Sequence, residues 1–219
     1  MKNYDSREKL IAALTEELEL VSRVTPTQGM MLIAFATLIA AAASIAGFEF
    51  WSGMLTGEAS GFFWITNGLL LVLGLASTGA LVAGALPRVG ARGNAPEWSA
   101  LMLAVVPLAA VLVLASGGAG HEHASLASPT LWYWPCAAAS VSAAMLVGVA
   151  AVLFLRRGAP VSIERSGWLT GLSAGALGTL AYGITCPLDS LGHVGIVHVL
   201  PVAISAVIGR LVVPPLIRW

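Results

Sequence analysis

The sequence predicts an all-α membrane protein, with six transmembrane helices preceded by a short amphipathic helix. Of the 219 residues, 58% are hydrophobic and only 10% are charged, which is far more apolar than a soluble domain of this size. The apolar residues fall into six runs, each near the ~20 residues that a helix needs to cross ~30 Å of hydrocarbon. The distribution of basic residues agrees with that number of crossings.

The six spans are predicted at about 29–48, 62–86, 98–115, 131–155, 168–186 and 193–213. We therefore divide the chain into a cytoplasmic N-terminal segment, 1–28, and a transmembrane domain, 29–219. The first 23 residues carry mixed charges and no apolar core. They do not resemble a cleavable signal peptide, and we expect them to remain in the mature protein.

All eleven basic residues fall on one side of this topology. They lie in the N-terminal segment, the loops after spans 2 and 4, and the C-terminal region: Lys2, Arg7, Lys9, Arg23, Arg88, Arg92, Arg156, Arg157, Arg165, Arg210 and Arg218. The other three loops contain no Lys or Arg. Because basic residues accumulate in cytoplasmic loops, we expect a multi-pass protein of the bacterial inner membrane with both termini in the cytoplasm.

Residues 5–23 predict the amphipathic helix, with Asp5 or Ser6 as N-cap and Glu8 completing a capping box. Five apolar residues at helical spacing form its apolar stripe: Leu10, Ile11, Leu14, Leu18 and Val21. The stripe is expected to rest on the membrane or the bundle, or to dock in the groove of a partner protein.

Composition and motif content also argue against several functions. A net charge of zero gives no basis for direct nucleic-acid binding, which needs clustered Lys and Arg. The spans contain almost no ionisable residues, whereas transporters usually have them along their pathway. No catalytic motif is present, so we expect neither an enzyme nor a cofactor.

Small residues, including the GxxxG of Gly171 and Gly175, predict close helix packing.

The two cysteines, Cys136 and Cys186, fall at the outer ends of spans 4 and 5. They form either a structural disulfide, two unrelated buried residues, or a thiol pair that senses oxidants or thiophilic metals. Asp189 and four histidines lie on or near the same side: His121, His123, His193 and His198.

Thiolate and imidazole ligands suit Zn or Cu(I). His121 and His123, with Glu122 between them, occupy a Gly- and Ser-rich loop and are expected to be solvated. His198 lies inside span 6 and needs a hydrogen-bond partner, so it is either a packing histidine or a ligand. We assign no metal ligands here, and regard Asp189, His193 and His198 as residues that support the cysteines.

Short motifs along the whole chain carry a resemblance to a known family. They are a polar N-terminal helix, Trp134-Pro135-Cys136, the loop 156–160, Cys186-Pro187-Leu188-Asp189, His198 with Pro201, and the final Arg218-Trp219. In these features the chain resembles the NrsF-type membrane proteins, which are six-span anti-sigma factors.

The resemblance implies that the N-terminal segment holds an extracytoplasmic-function sigma factor at the membrane. It also implies that Cys136 and Cys186 perceive the signal for release. Two alternatives remain: a membrane thiol redox enzyme or metal transporter that uses the outer Cys/His cluster, and a structural subunit with an inert disulfide.

Overall fold

The computed structural model describes residues 2–16, 24–86, 94–115 and 134–218, and within these ranges the chain is helical without strands. The helices are α1 Lys2–Glu16, α2 Pro26–Phe48, α3 Gly53–Thr56, α4 Gly61–Gly84, α5 Ala95–Ala115, α6 Trp134–Leu155, α7 Ile163–Gly183 and α8 Leu200–Leu216. A short π-helix, π1, spans His193–Val197 directly before α8.

Five helical segments in the described part of the chain are long and apolar enough to cross a membrane. They are α2, α4, α5, α6 and the continuous stretch His193–Leu216 formed by π1 and α8. The span predicted at 168–186 corresponds to α7, which has 21 residues but is richer in Gly, Ser and Thr. Five apolar spans are therefore found, and the crossing by α7 remains a prediction.

Helix α7 is the centre of the bundle, because α2, α4, α6 and α8 all pack against it. Almost every residue from Ser166 to Gly183 is buried. A helix enclosed by other helices presents little surface to lipid, so it can be less apolar than its neighbours. Its small side chains let the surrounding backbones approach closely.

The predicted GxxxG residues form the contact between α7 and α8. A Cβ at Gly171 would overlap the Ser205 backbone, and one at Gly175 would lie 2.8 Å from the Cα of Val202. On another face of α7, a Cβ at Gly178 would collide with the backbone of Ala144 in α6. Glycine is thus required at these positions by the closeness of the neighbouring backbone.

Successive long helices run in opposite directions. The first turn of α7 lies beside the last turns of α8, where Arg210 and Glu164 form an ion pair of 3.0 Å. At the same end, the backbone N–H of Ala159, after α6, donates to the carbonyl of Ala85, after α4 (2.9 Å). We call this the basic end, because the arginines after α6, in α7 and in α8 lie there.

The start of α2 is fixed by a complete capping box. The Thr25 hydroxyl accepts from the Gln28 backbone N–H (3.3 Å), while the Gln28 side chain accepts from the Thr25 N–H (3.0 Å). Pro26 occupies the first turn, where its missing N–H is harmless. Helix α2 therefore begins at Pro26, within the last three residues of the segment 1–28.

The N-terminal helix starts earlier than predicted, and the predicted end at residue 23 lies outside the described residues. Helix α1 begins at Lys2, so the predicted N-cap at Asp5 or Ser6 is wrong: both residues already lie inside the first turns. Leu10, Ile11 and Leu14 are 60%, 63% and 56% exposed. Leu18 and Val21 lie outside the described residues, and the amphipathic character of the full segment remains a prediction.

We expect Gly171→Ala to destabilise the bundle by about 1–3 kcal/mol, because the added methyl group overlaps the α8 backbone. Gly79→Ala is the matched control, since a Cβ there meets nothing within 4 Å. Denaturant or thermal unfolding in detergent measures both variants. Equal stability of the two would contradict the close α7–α8 contact.

Candidate functional site

Cys136 and Cys186 meet at the end of the bundle opposite the basic end. Cys136 lies in the first turn of α6, and Cys186 follows the last turn of α7. Both are free thiols, their Sγ atoms are 3.5 Å apart, and they are only 2% and 1% exposed. The antiparallel course of α6 and α7 brings together two residues that are 50 positions apart in sequence.

His193 and His198 complete a cluster around the thiols. The Nε2 of His193 lies 3.6 Å from the Sγ of Cys186, and the two imidazole rings are 5.2 Å apart. Both histidines are buried. One ligand atom from each of the four residues falls within 4.8 Å of all the others. We call Cys136, Cys186, His193 and His198 the Cys/His cluster.

The π-helix explains why two histidines five residues apart share one face. In an α-helix of 3.6 residues per turn, that spacing would separate the side chains by roughly 140°. In π1, the N–H of His198 donates to the carbonyl of His193 (3.3 Å), which is the wider i to i+5 turn. Pro201, which has no N–H, follows this turn and interrupts the regular hydrogen-bond series.

Tyr182 is a member of the site that sequence reasoning missed. Its hydroxyl donates to the Sγ of Cys136 (3.1 Å), and its ring packs edge-on against Phe48 of α2 with centroids 5.3 Å apart. A signal was available, because Tyr182 lies four residues before Cys186, about one turn away on the same face of a helix. A tyrosine buried in an apolar span also requires a partner for its hydroxyl.

Asp189 does not join the Cys/His cluster. Its carboxylate accepts from the backbone N–H and from the hydroxyl of Ser60, the latter at 2.8 Å. Ser60 also caps α4 by accepting from the N–H of Phe63 (3.1 Å). Asp189 therefore ties the turn between α7 and π1 to the start of α4, and supports the cluster through that turn.

His198 and Asn67 leave polar atoms without a hydrogen-bond partner among the described residues. These are both ring nitrogens of His198 and the Oδ1 of Asn67. Both side chains approach Gly183, where a Cβ would lie 2.8 Å from Asn67 Oδ1 and 3.7 Å from His198 Nδ1. Burial of such groups is unfavourable unless something satisfies them. His121, Glu122 and His123 lie outside the described residues.

The chemistry of this arrangement is that of two thiols beside two imidazoles in a space closed to solvent.

A comparison with known families agrees with the sequence resemblance: the family model NrsF, described as negative regulator of sigma F, matches residues 14–219. The chain belongs to the NrsF family. No individual curated protein and no solved structure gives a significant match.

Membership of the NrsF family identifies the general role as negative regulation of a sigma factor. The matched region contains the whole Cys/His cluster, Tyr182 and Asp189. It begins at Leu14, within α1, so Leu10 and Ile11 of the apolar stripe precede it.

Asp189→Ala should loosen this end of the NrsF bundle. Loss of a charged acceptor from Ser60 is expected to destabilise the fold by about 1.5–3 kcal/mol and to speed the labelling of Cys186 by maleimide. Glu58→Ala, which removes an exposed acid from the same region, is the control. If both variants label at the wild-type rate, the Asp189–Ser60 link does not hold the turn.

Proposed function

We propose that this NrsF protein is a bacterial inner-membrane anti-sigma factor that holds an extracytoplasmic-function sigma factor through its cytoplasmic N-terminal segment. A signal perceived at Cys136 and Cys186 then releases that sigma factor. The observation that carries the proposal is the placement of two free thiols, distant in sequence, 3.5 Å apart in a buried cluster. In this proposal the protein is a regulator rather than an enzyme, and it does not bind nucleic acid itself.

The apolar stripe supports the docking half of the proposal. Its described members, Leu10, Ile11 and Leu14, are each more than half exposed. Exposed apolar side chains on one helical face favour binding to a groove in a partner protein. The positive-inside distribution of Lys and Arg supports placing this helix in the cytoplasm, where a sigma factor is found.

Helix α2 offers a physical connection between signal perception at the cysteines and sigma-factor docking at the N-terminal segment. Its last residue, Phe48, packs on Tyr182, which donates to Cys136. Its first turn follows the capping residue Thr25, so it includes the last residues of the N-terminal segment, 1–28. A change in the thiol pair that moves Tyr182 could therefore displace α2, the bundle helix that follows α1 in the sequence.

Release of the sigma factor requires a free-energy change of several kcal/mol at the thiols. A ligand or reaction shifts an equilibrium only by its differential free energy for the two states. A thousandfold loss of sigma-factor affinity corresponds to about 4 kcal/mol. This is comparable to the loss of one or two buried hydrogen bonds or packing contacts, so a local rearrangement at the thiols is sufficient.

Leu14→Asp should abolish capture of the sigma factor from membranes, because it places a charge in the apolar stripe. Ala12→Asp adds the same charge to the same exposed helix but about 160° away, and should leave capture intact. Co-purification of the sigma factor with the tagged protein is the measurement. Equal capture by the two variants would remove the stripe from the interface.

Cys136→Ser and Cys186→Ser test the sensing half separately. We expect both variants to retain sigma-factor capture under uninduced conditions and to lose release when thiol-reactive oxidants or metals are added. The readout is a reporter gene dependent on the sigma factor, compared with Ser142→Ala, an exposed change in α6. Release that persists in both cysteine variants would show that the thiols are structural.

The alternative function, a thiol redox enzyme or metal transporter, makes a different prediction in proteoliposomes. It requires stoichiometric quinone reduction or metal flux that is lost in Cys186→Ser. Sigma-factor capture without either activity favours the regulator.

A further inference from the structure

We propose that Cys136, Cys186, His193 and His198 form a closed tetrahedral binding site for one Zn²⁺ ion. The binding site itself follows from the Cys/His cluster alone, and only its use as a signal would rest on the proposed anti-sigma function. On binding, the two thiols lose their S–H protons to solvent, and four bonds form from zinc to two sulfurs and two nitrogens. No oxidation or reduction is involved.

The spacing of the ligand atoms fits zinc. With Zn–S distances of about 2.3 Å and Zn–N distances of about 2.0–2.1 Å, a tetrahedral site has its ligand atoms roughly 3.3–3.8 Å apart. The two sulfurs are 3.5 Å apart, and Cys186 Sγ is 3.6 Å from His193 Nε2. The remaining separations do not exceed 4.8 Å, so side-chain shifts of roughly 1 Å complete the tetrahedron.

The local charge favours a divalent ion over a monovalent one. All four ligands are buried, and the arginines described in the bundle helices lie at the opposite, basic end. Two thiolates with Zn²⁺ make a neutral unit, whereas Cu⁺ would leave one uncompensated negative charge. Uncompensated charge in a low-dielectric site is strongly unfavourable.

His198 provides an independent indication of a ligand. It is 1% exposed, yet neither ring nitrogen has a hydrogen-bond partner among the described residues. Coordination through Nε2 would satisfy one nitrogen. The other, Nδ1, faces the region of Asn67 Oδ1 beside Gly183, and that oxygen is itself without a partner.

Asn67 is accordingly a positioning residue for His198. Histidine ligands usually donate their second N–H to an oxygen acceptor, which fixes the ring and its tautomer. A hydrogen bond from Nδ1–H to Asn67 Oδ1 would satisfy both atoms at once. Tyr182 acts similarly on Cys136, because its hydroxyl already donates to Cys136 Sγ and would stabilise the thiolate.

Zinc binding also explains the presence of the π-helix. Its i to i+5 turn places His193 and His198 on one face, next to the thiols. π-Turns are less stable than α-helical turns and occur frequently at functional sites. Four protein ligands with no open position are typical of structural or regulatory zinc rather than catalytic zinc.

The test uses the purified full-length protein in detergent, dialysed against buffered ZnCl₂ and then against zinc-free buffer. We expect one zinc per chain by elemental analysis, and two thiols that react with a thiol reagent only after chelation. A folded wild-type protein that retains no zinc would overturn the proposal. So would a disulfide between the two cysteines, or stoichiometric Cu⁺ instead of Zn²⁺ when both are supplied.

Variants then assign the ligands. Cys186→Ser and His198→Gln should lower zinc affinity by more than the about 10–100-fold expected for loss of an outer partner, while Ser140→Ala, one turn from Cys136, should not. Asn67→Leu should lower zinc affinity by about 10–100-fold, and Asn67→Asp, which keeps an acceptor oxygen, should restore it. Unchanged affinity in Cys186→Ser and His198→Gln would contradict the ligand set.

The wild-type zinc measurement needs no variant to fold and no sigma factor. Sigma-factor capture from the same preparation is scored separately. Zinc without capture would refute the proposed function alone, and capture without zinc would refute the zinc site alone.

Discussion

The close approach of backbones around α7 is the constraint on which the rest of the bundle depends. Gly171 lets α8 approach α7, and Gly178 lets α6 approach it on another face. These contacts fix the relative positions, along the helix axes, of the three helices that carry or adjoin the Cys/His cluster. Because Cβ-free contacts tolerate little displacement, the positions of Cys136, Cys186 and π1 are determined along most of the length of α7.

The second constraint is the low polarity of the space in which the cluster lies. Thiols, imidazoles and a tyrosine hydroxyl are more strongly coupled there than in water, since buried polar interactions are weakly screened. Any change of charge or bonding at one member must therefore be compensated by its neighbours. The signal perception proposed for the cysteines would depend on this coupling.

The hydrophobic pattern of the sequence predicts much of the fold. The predicted spans differ from the long helices by a few residues, because apolar runs of bilayer length have few alternatives. Helix α7 is the exception: it is the least apolar of the long helices, and only its enclosure by other helices, a tertiary property, explains this. The start of α1 was also misplaced, because a local capping pattern competes with helix propensity in the preceding residues.

The site was harder to predict than the fold. The pairing of Cys136 with Cys186 could be anticipated from antiparallel topology, but the contact of His193 with His198 could not. Sequence periodicity assumes an α-helical turn, and under that assumption the two histidines diverge. Asp189 was grouped with the cysteines by its nearness in sequence, whereas its carboxylate is bound to Ser60.

The two ends of the bundle have different chemistry, and this division bears on how they communicate. The basic end is held by the Arg210–Glu164 ion pair and backbone contacts, and the other end by ring packing and thiol contacts. Helix α8 joins π1 to the basic end but is clamped along α7 by glycine contacts. Helix α2 reaches this end through Phe48, which packs on Tyr182, and it begins at Pro26 near the N-terminal end of the chain. Helix α2 has a close glycine contact of its own, because a Cβ at Gly29 would lie 2.6 Å from the ring of Phe154 in α6. The neighbour there is a side chain, whereas the neighbour of Gly171 is the α8 backbone, so α2 can shift more readily than α8 when Tyr182 moves.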